Sequence, residues 1–291
     1  MKRLGVLVLA GLLVLLAACG SDNGNGDGAG KLEALKESGT VTVGFANEAP
    51  YAYEDNGELK GAAVDIAQAV FEELGIENMD SQLADFSQLI PGVQAGQFDV
   101  VTAGMAIQPA RCENALFAEP EMQYGEGLVV PAGNPNDIHS YKDIADNPDL
   151  TVVVMEGATE IGFLLDEGVS EDQITTASDI PSTFSAVQAG RADATTGTEM
   201  TVRMALESFD SDDLEFVESF EQPDIEGVPS YGAAAFSLDN EELRDAYNEV
   251  LAELKEDGTV AELLEANGFN GETNFVADGE VTTEQVCNGE E

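Results

Sequence analysis

The sequence predicts an α/β protein built as two similar lobes, and three observations carry that expectation. From Lys31 onward, stretches with strand and helix patterns alternate, which argues for mostly parallel sheets with helices on their faces. That part of the chain is about 260 residues long, roughly the size of two compact lobes. A segment in its first third is also echoed ninety-four residues later: Val93-Gln94-Ala95-Gly96 is answered by Val187-Gln188-Ala189-Gly190, Asp99 by Asp193, and Thr102 by Thr196. Two lobes of one design leave a cleft between them in which a ligand can be held.

The elements follow in order. Leu32, Leu35 and Lys36 predict a short helix ending at Gly39, and Thr40 to Phe45 alternates as a strand. Asn56-Gly57, flanked by Tyr53 and Leu59, is a hairpin signal. Ala67, Val70, Phe71 and Leu74 recur at helical spacing, with Gly75 as the C-cap. Residues 87–95 read as a helix and 98–103 as a strand; Pro91, past the first turn, predicts a bend. Gly127 to Pro131 is a strand, Lys142 to Ala145 begins a short helix, and Thr151 to Met155 is a buried run of valines before a helix around Ile161 to Leu165. The echo adds helix 182–189 and strand 192–196, and Ala233 to Ser237 is a late strand. Leu243, Tyr247, Val250, Leu251 and Leu254 share one helical face, which Val260 to Leu264 continues.

Residues 1–18 are a leader: Lys2 and Arg3 precede the apolar run Leu4 to Ala18, which is short for a membrane span. Leu16-Ala17-Ala18-Cys19 resembles the lipobox of bacterial lipoproteins, which implies a lipid on Cys19. Residues 19–30 read as a flexible tether. Of three cysteines, lipidation of Cys19 leaves Cys112 and Cys287. Outside the cytoplasm such a pair is expected as a disulfide clipping the C-terminal tail, two free thiols being the alternative.

With 11 basic and 57 acidic residues the net charge is -46, and no basic stripe exists, so nucleic acid is not expected as a partner. The 43% hydrophobic content is ordinary for a globular core. Acid spread over such a core reads as a surface adapted to high salt, with plain solubility as the alternative.

No catalytic constellation is found. His139 is the only histidine, and there is neither a G-x-S-x-G elbow, nor a phosphate-binding G-x-x-x-x-G-K loop, nor a zinc-spaced cluster. No catalytic residue, cofactor or metal is therefore expected. Recognition chemistry remains. Arg111 is one of nine basic residues after the leader, and a guanidinium at a cleft edge grips a carboxylate through paired hydrogen bonds. A surface salt bridge is its bland alternative. Tyr51 and Phe86 follow strand ends, where ligands of α/β sheets bind, or else they pack in the core.

The segments ANEAPYAYEDNGELKGAAVDIAQAV, DFSQLIPGVQAGQFDVVTAG, PARC, SYKDIADNP and ELRDAYNEVLAELKEDGTVAELLEANGF resemble the extracellular solute-binding proteins of ABC importers, polar amino-acid family (family 3). The resemblance covers nearly all of residues 31–291. It implies the type II periplasmic-binding-protein-like fold, with lobe 1 formed by 31–122 and 228–291, lobe 2 by 123–227, and ligand between them. The two crossings are expected near Glu119 to Glu126 and Ile225 to Tyr231. It further implies an extracytoplasmic monomer that serves an ABC permease, here held to the membrane by its lipid anchor.

Within the family, ANEAPY, IPGVQAG, PARC, SYKDIADNP, the Thr-Glu of GATE and a late cysteine resemble the ectoine and hydroxyectoine binders. That likeness implies that Arg111 holds the ligand carboxylate and Glu48 meets the cationic ring nitrogens. Tyr51 and Phe86 would enclose the ring, and Thr159 would reach it from the second lobe. Amino-acid binders of the wider family usually place an aspartate where Thr198 stands. The subgroup has a third aromatic where this chain has Ala106, leaving Phe45, Tyr53 or Tyr124 to close the box. The alternatives are a polar amino acid or betaine-like osmolyte as ligand, or a dehydratase on the same scaffold using Glu48.

Overall fold

In the computed structural model, which describes residues 30–209 and 211–290, the strands form two larger β-sheets and one small hairpin sheet, Tyr53–Asp55 with Glu58–Lys60. The leader 1–18, Cys19 and all but the last residue of the tether 19–30 lie outside the described residues. The first sheet runs Asn78–Leu83, Thr40–Phe45, Val100–Ala106, Ser230–Phe236 and Leu116–Phe117, with Met122–Tyr124 also paired to Ser230–Phe236. The second runs Ile174–Ala177, Val152–Met155, Ala194–Thr198, Glu126–Pro131 and Leu214–Phe216. In each, three parallel strands are followed by an antiparallel one that arrives where the chain crosses between lobes. Strands of this kind are buried on both faces and read as continuous apolar runs. In the second lobe Val152 and Val154 enter one core, with Tyr141 and Leu164, while Val153 and Met155 enter another, with Phe184 and Val202.

The ninety-four-residue echo has a physical basis. Asp99 N donates to Thr42 O while its carboxylate accepts from Thr42 N, both at 2.8 Å. Asp193 does the same to Thr151, again at 2.8 Å for both bonds. Each aspartate thus ties the start of one strand to the chain entering its neighbour, after a glycine with φ of +68° (Gly96) or +65° (Gly190) has ended the intervening helix. Hydrogen bonds to a charged group each contribute about 1.5–3 kcal/mol. Asp99→Ala and Asp193→Ala are each expected to lower unfolding free energy by about 2 kcal/mol in urea titrations, with ligand affinity changed less than threefold.

Three local expectations change. The segment 87–95 is a 3-10 turn, Phe86–Gln88, followed by the helix Leu89–Gln94. Pro91 is therefore the third helical residue, where its missing N–H forfeits no intrahelical bond, so no bend is needed. The late helical face is two helices, Glu241–Glu256 and Thr259–Ala266, broken at Gly258 with φ +91°. Both outer parallel strands lack a sequence signal: Asn78–Leu83 is largely exposed and polar, and Ile174–Ala177 is half exposed.

The crossings lie side by side. Gly125 separates Met122–Tyr124, of the first sheet, from the first strand of the second, Glu126–Pro131. Gln222, on the returning segment, accepts from Glu126 N at 2.8 Å and donates to Glu126 O at 2.7 Å. Cys112 and Cys287 form a disulfide with Cα atoms 5.9 Å apart. Among the described residues no helix is long and apolar enough to cross a membrane.

Candidate functional site

The strand Thr40–Phe45 delivers the first two site residues. After it, Asn47 adopts φ +58° and its side chain accepts from Glu54 N. Glu48 and Ala52 then exchange both backbone hydrogen bonds at 2.9 Å, closing a loop that turns Glu48 and Tyr51 inward. Tyr51 packs against the strand Val100–Ala106 at Gly104, φ +57°, where a Cβ would come within 2.4 Å of the ring. The echo breaks here, glycine against Thr198, and in the first lobe the glycine leaves room for the Tyr51 ring. Tyr124 packs edge-on to Tyr51, centroids 5.2 Å apart, and donates its hydroxyl to Gly104 O at 2.6 Å.

Arg111 stands in the four-residue helix Pro109–Cys112. Its guanidinium donates to Ala106 O and, across the cleft, to Gly157 O, both at 2.9 Å, and lies 5.3 Å from the centroid of Phe86. From the second lobe come Thr159 and Glu160, at the start of the helix Glu160–Asp166, and Thr198, at the end of the strand Ala194–Thr198. Glu48, Tyr51, Phe86, Arg111, Thr159 and Thr198 all line one narrow cavity between the lobes, with a free volume of about 30 Å³.

The aromatic question has a structural answer. Tyr124 lines the cavity, whereas Phe45 packs in a small separate cluster with Ala52 and Val64, and Tyr53 sits in the hairpin outside the cavity. Ala106 also lines the cavity, and its carbonyl holds Arg111. Phe86 has two roles, as a wall of the cavity and as a platform under the guanidinium, a contact of about 0.5–2 kcal/mol.

Sequence reading missed Glu126 and Glu160. Glu126 is 1% exposed and neither carboxyl oxygen has a hydrogen-bond partner in the described residues. Its neighbour Glu160 is 3% exposed and lines the cavity. Burial raises both carboxyls, and Glu160 raises Glu126 further, so ionising the two together is disfavoured. An acid opening the apolar strand EGLVVP was the available signal, lost among 57 acids. Glu48 is pushed up to about 8, first by burial and then by Glu160, against the pull of Arg111. Burial lowers Arg111 while Tyr124, Glu160 and Glu48 raise it. Tyr51 is held well above its ordinary value, mainly by burial, and its hydroxyl has no hydrogen bond of good geometry. The cavity thus combines one guanidinium, an acid from each lobe (Glu48 and Glu160), aromatic walls and two threonine hydroxyls. That set suits a small ligand carrying both charges.

Comparison with known proteins agrees with this chemistry. The chain is 38% identical over 265 residues to a probable amino-acid ABC transporter periplasmic-binding protein, y4tE, of Sinorhizobium fredii (strain NBRC 101917 / NGR234), covering 89% of this chain and 87% of that one. Its fold superposes on a crystal structure of EhuB in complex with hydroxyectoine with a TM-score of 0.79 and 33% identity, covering 88% of this chain and 97% of that one. An ancestral arginine-binding protein bound to arginine gives 0.67 and 28%, covering 79% and 98%. Residues 41–268 match the profile of the bacterial extracellular solute-binding proteins, family 3, and the chain belongs to that family.

Proposed function

We propose that this solute-binding protein of an amino-acid-type ABC importer takes ectoine or hydroxyectoine between its lobes. The observation that carries the reading is the placement of Glu48 and Arg111 in one cavity walled by Tyr51, Phe86 and Tyr124. Ectoine presents a carboxylate at one end and a delocalised planar cation at the other. Arg111 receives the carboxylate with the donors left free by Ala106 and Gly157, Glu48 meets the ring nitrogens, and the aromatic faces attract the cation. Thr159 and Thr198 add second-lobe hydroxyls, so both lobes must close to complete the site. In this reading lobe 1 comprises 31–122 and 228–291 and lobe 2 comprises 123–227. Cys19 carries the lipid that tethers a monomer beside its permease, and the acidic surface suits high salt.

A second reading, an amino-acid ligand, draws on one observation: Glu160 lines the cavity from the second lobe, where it could meet an α-ammonium. Calorimetry with ectoine, hydroxyectoine, arginine, glutamine and glycine betaine separates the two. Ectoine or hydroxyectoine is expected to bind at least tenfold tighter than the others and to be recovered unchanged after prolonged incubation. Heat with arginine or glutamine and none with ectoine would overturn the assignment.

A further inference from the structure

The family match ends at residue 268, yet the chain continues to cross lobe 1 as a segment pinned at two places. At the near pin, Gln123 N donates to Asn274 O and Asn274 Nδ2 to Gln123 O, both at 2.8 Å, and Gln123 Nε2 donates to Thr273 O at 2.9 Å. Phe275 forms a bridge with Met122 alongside. At the far pin, the helix Thr283–Asn288 is capped by Thr282 and docked by Thr283, whose N–H donates to Glu119 Oε2 at 3.0 Å and whose hydroxyl donates to Ala118 O. Val286 is buried, and the disulfide from Cys287 closes on Cys112.

Both pins land beside ligand-site residues. The near one holds the strand Met122–Tyr124, which carries Tyr124 and leads through Gly125 into the second lobe. The far one holds the residue next to Arg111, in a helix of four residues. So short a helix has little stability of its own. Its backbone bonds are few: Arg111 N and Cys112 N donate to Gln108 O, both at 2.9 Å, and Glu113 N to Pro109 O at 3.3 Å. We infer that residues 270–288 are a brace that positions Arg111 and Tyr124 for ligand, so that releasing it weakens binding while both lobe cores stay folded. Cys287 and Asn274 are its positioning residues; neither lines the cavity. The affinity arm of this inference rests on Arg111 gripping a ligand carboxylate, as proposed above.

The test compares wild type with Cys112→Ser/Cys287→Ser and with Asn274→Ala, using amide hydrogen exchange and calorimetry with ectoine. Exchange needs no ligand and so reads the brace separately from the ligand assignment. Amides of 109–115 and 122–124 are expected to exchange at least tenfold faster in the double-serine variant, with 100–106 and 194–198 unchanged. Ectoine affinity is expected to fall at least tenfold, and less than threefold when the same change is made in an Arg111→Lys background, because the brace acts through Arg111. If wild type binds arginine or glutamine instead of ectoine, that amino acid becomes the probe and only the ligand assignment fails. Faster exchange confined to 270–290, or an affinity change of equal size in both backgrounds, would overturn the brace. Should the double-serine chain not fold, wild type reduced with dithiothreitol and Asn274→Ala give the same two readouts. A uniform rise in exchange across both lobes then counts against the inference.

Discussion

Arg111→Ala is expected to weaken ectoine binding at least a hundredfold in calorimetry, the largest loss of any single substitution in the cleft. Truncating one partner of an enclosed, hydrogen-bonded charge pair typically costs 2–5 kcal/mol, much of it from stranding the other charge. Here the loss strands the ligand carboxylate and removes the pull by which Arg111 lowers both Glu48 and Glu160. Its contact with Gly157 O, one of the bonds closing the cleft, also disappears. Arg111→Lys is expected to recover no more than a tenth of the lost affinity. An ammonium supplies the charge but not the planar fork that serves Ala106 O, Gly157 O and a carboxylate together while lying on Phe86. Wild-type affinity in the lysine variant would show that Arg111 acts as a point charge and not as a fork.

How much of this was legible in the chain follows from which forces leave local marks. Parallel strands buried on both faces must be apolar, so TVTVGF and the valines of 152–154 announced themselves. The outer strands, supported by a neighbour on one side, carried no such requirement and were invisible. Asp99 and Asp193 were visible as an echo, but not as strand ties, because that role depends on Thr42 and Thr151, forty-two and more residues away. At the site, Arg111 stood out because cations are scarce here. Glu126 and Glu160 did not, because what distinguishes them from most of the other acids is burial, which only the fold confers and which Glu121 shares. Tyr124 was one of three candidates for the missing wall, and its selection depends on Gly104 offering a carbonyl and no side chain.

Ligand binding is expected to strengthen with pH, and Glu48→Gln to abolish most of that dependence. The facing groups are Glu160, Arg111, Tyr51, Tyr124 and, behind Glu160, Glu126. With its pKa raised from 4.5 to about 8, Glu48 holds a proton in the folded protein that the unfolded chain gives up. The folded state is therefore fully favoured below pH 4.5 with respect to this group, and loses stability as pH climbs toward 8. At about 1.4 kcal/mol per unit the shift sets an upper bound of a few kcal/mol, reduced because Glu48 is only half-buried. Glu126 and Glu160 are raised too and act in the same direction. A ligand cation reverses the sign: it favours the carboxylate, so binding near neutral pH expels a proton and affinity rises up to tenfold per unit until about pH 8. Gln imitates the protonated acid, so the variant should match wild type in unliganded stability at pH 5 and exceed it at pH 8. It should lose about a hundredfold in ectoine affinity at pH 8, in line with the cost of an unpaired charge. Titrations in two buffers of different ionisation enthalpy count the protons: close to one released at pH 7 in wild type and close to none in Glu48→Gln. Equal release from both proteins would move the titrating group to the Glu126–Glu160 pair, and no release from either would place an ionised Glu48 in the empty cleft.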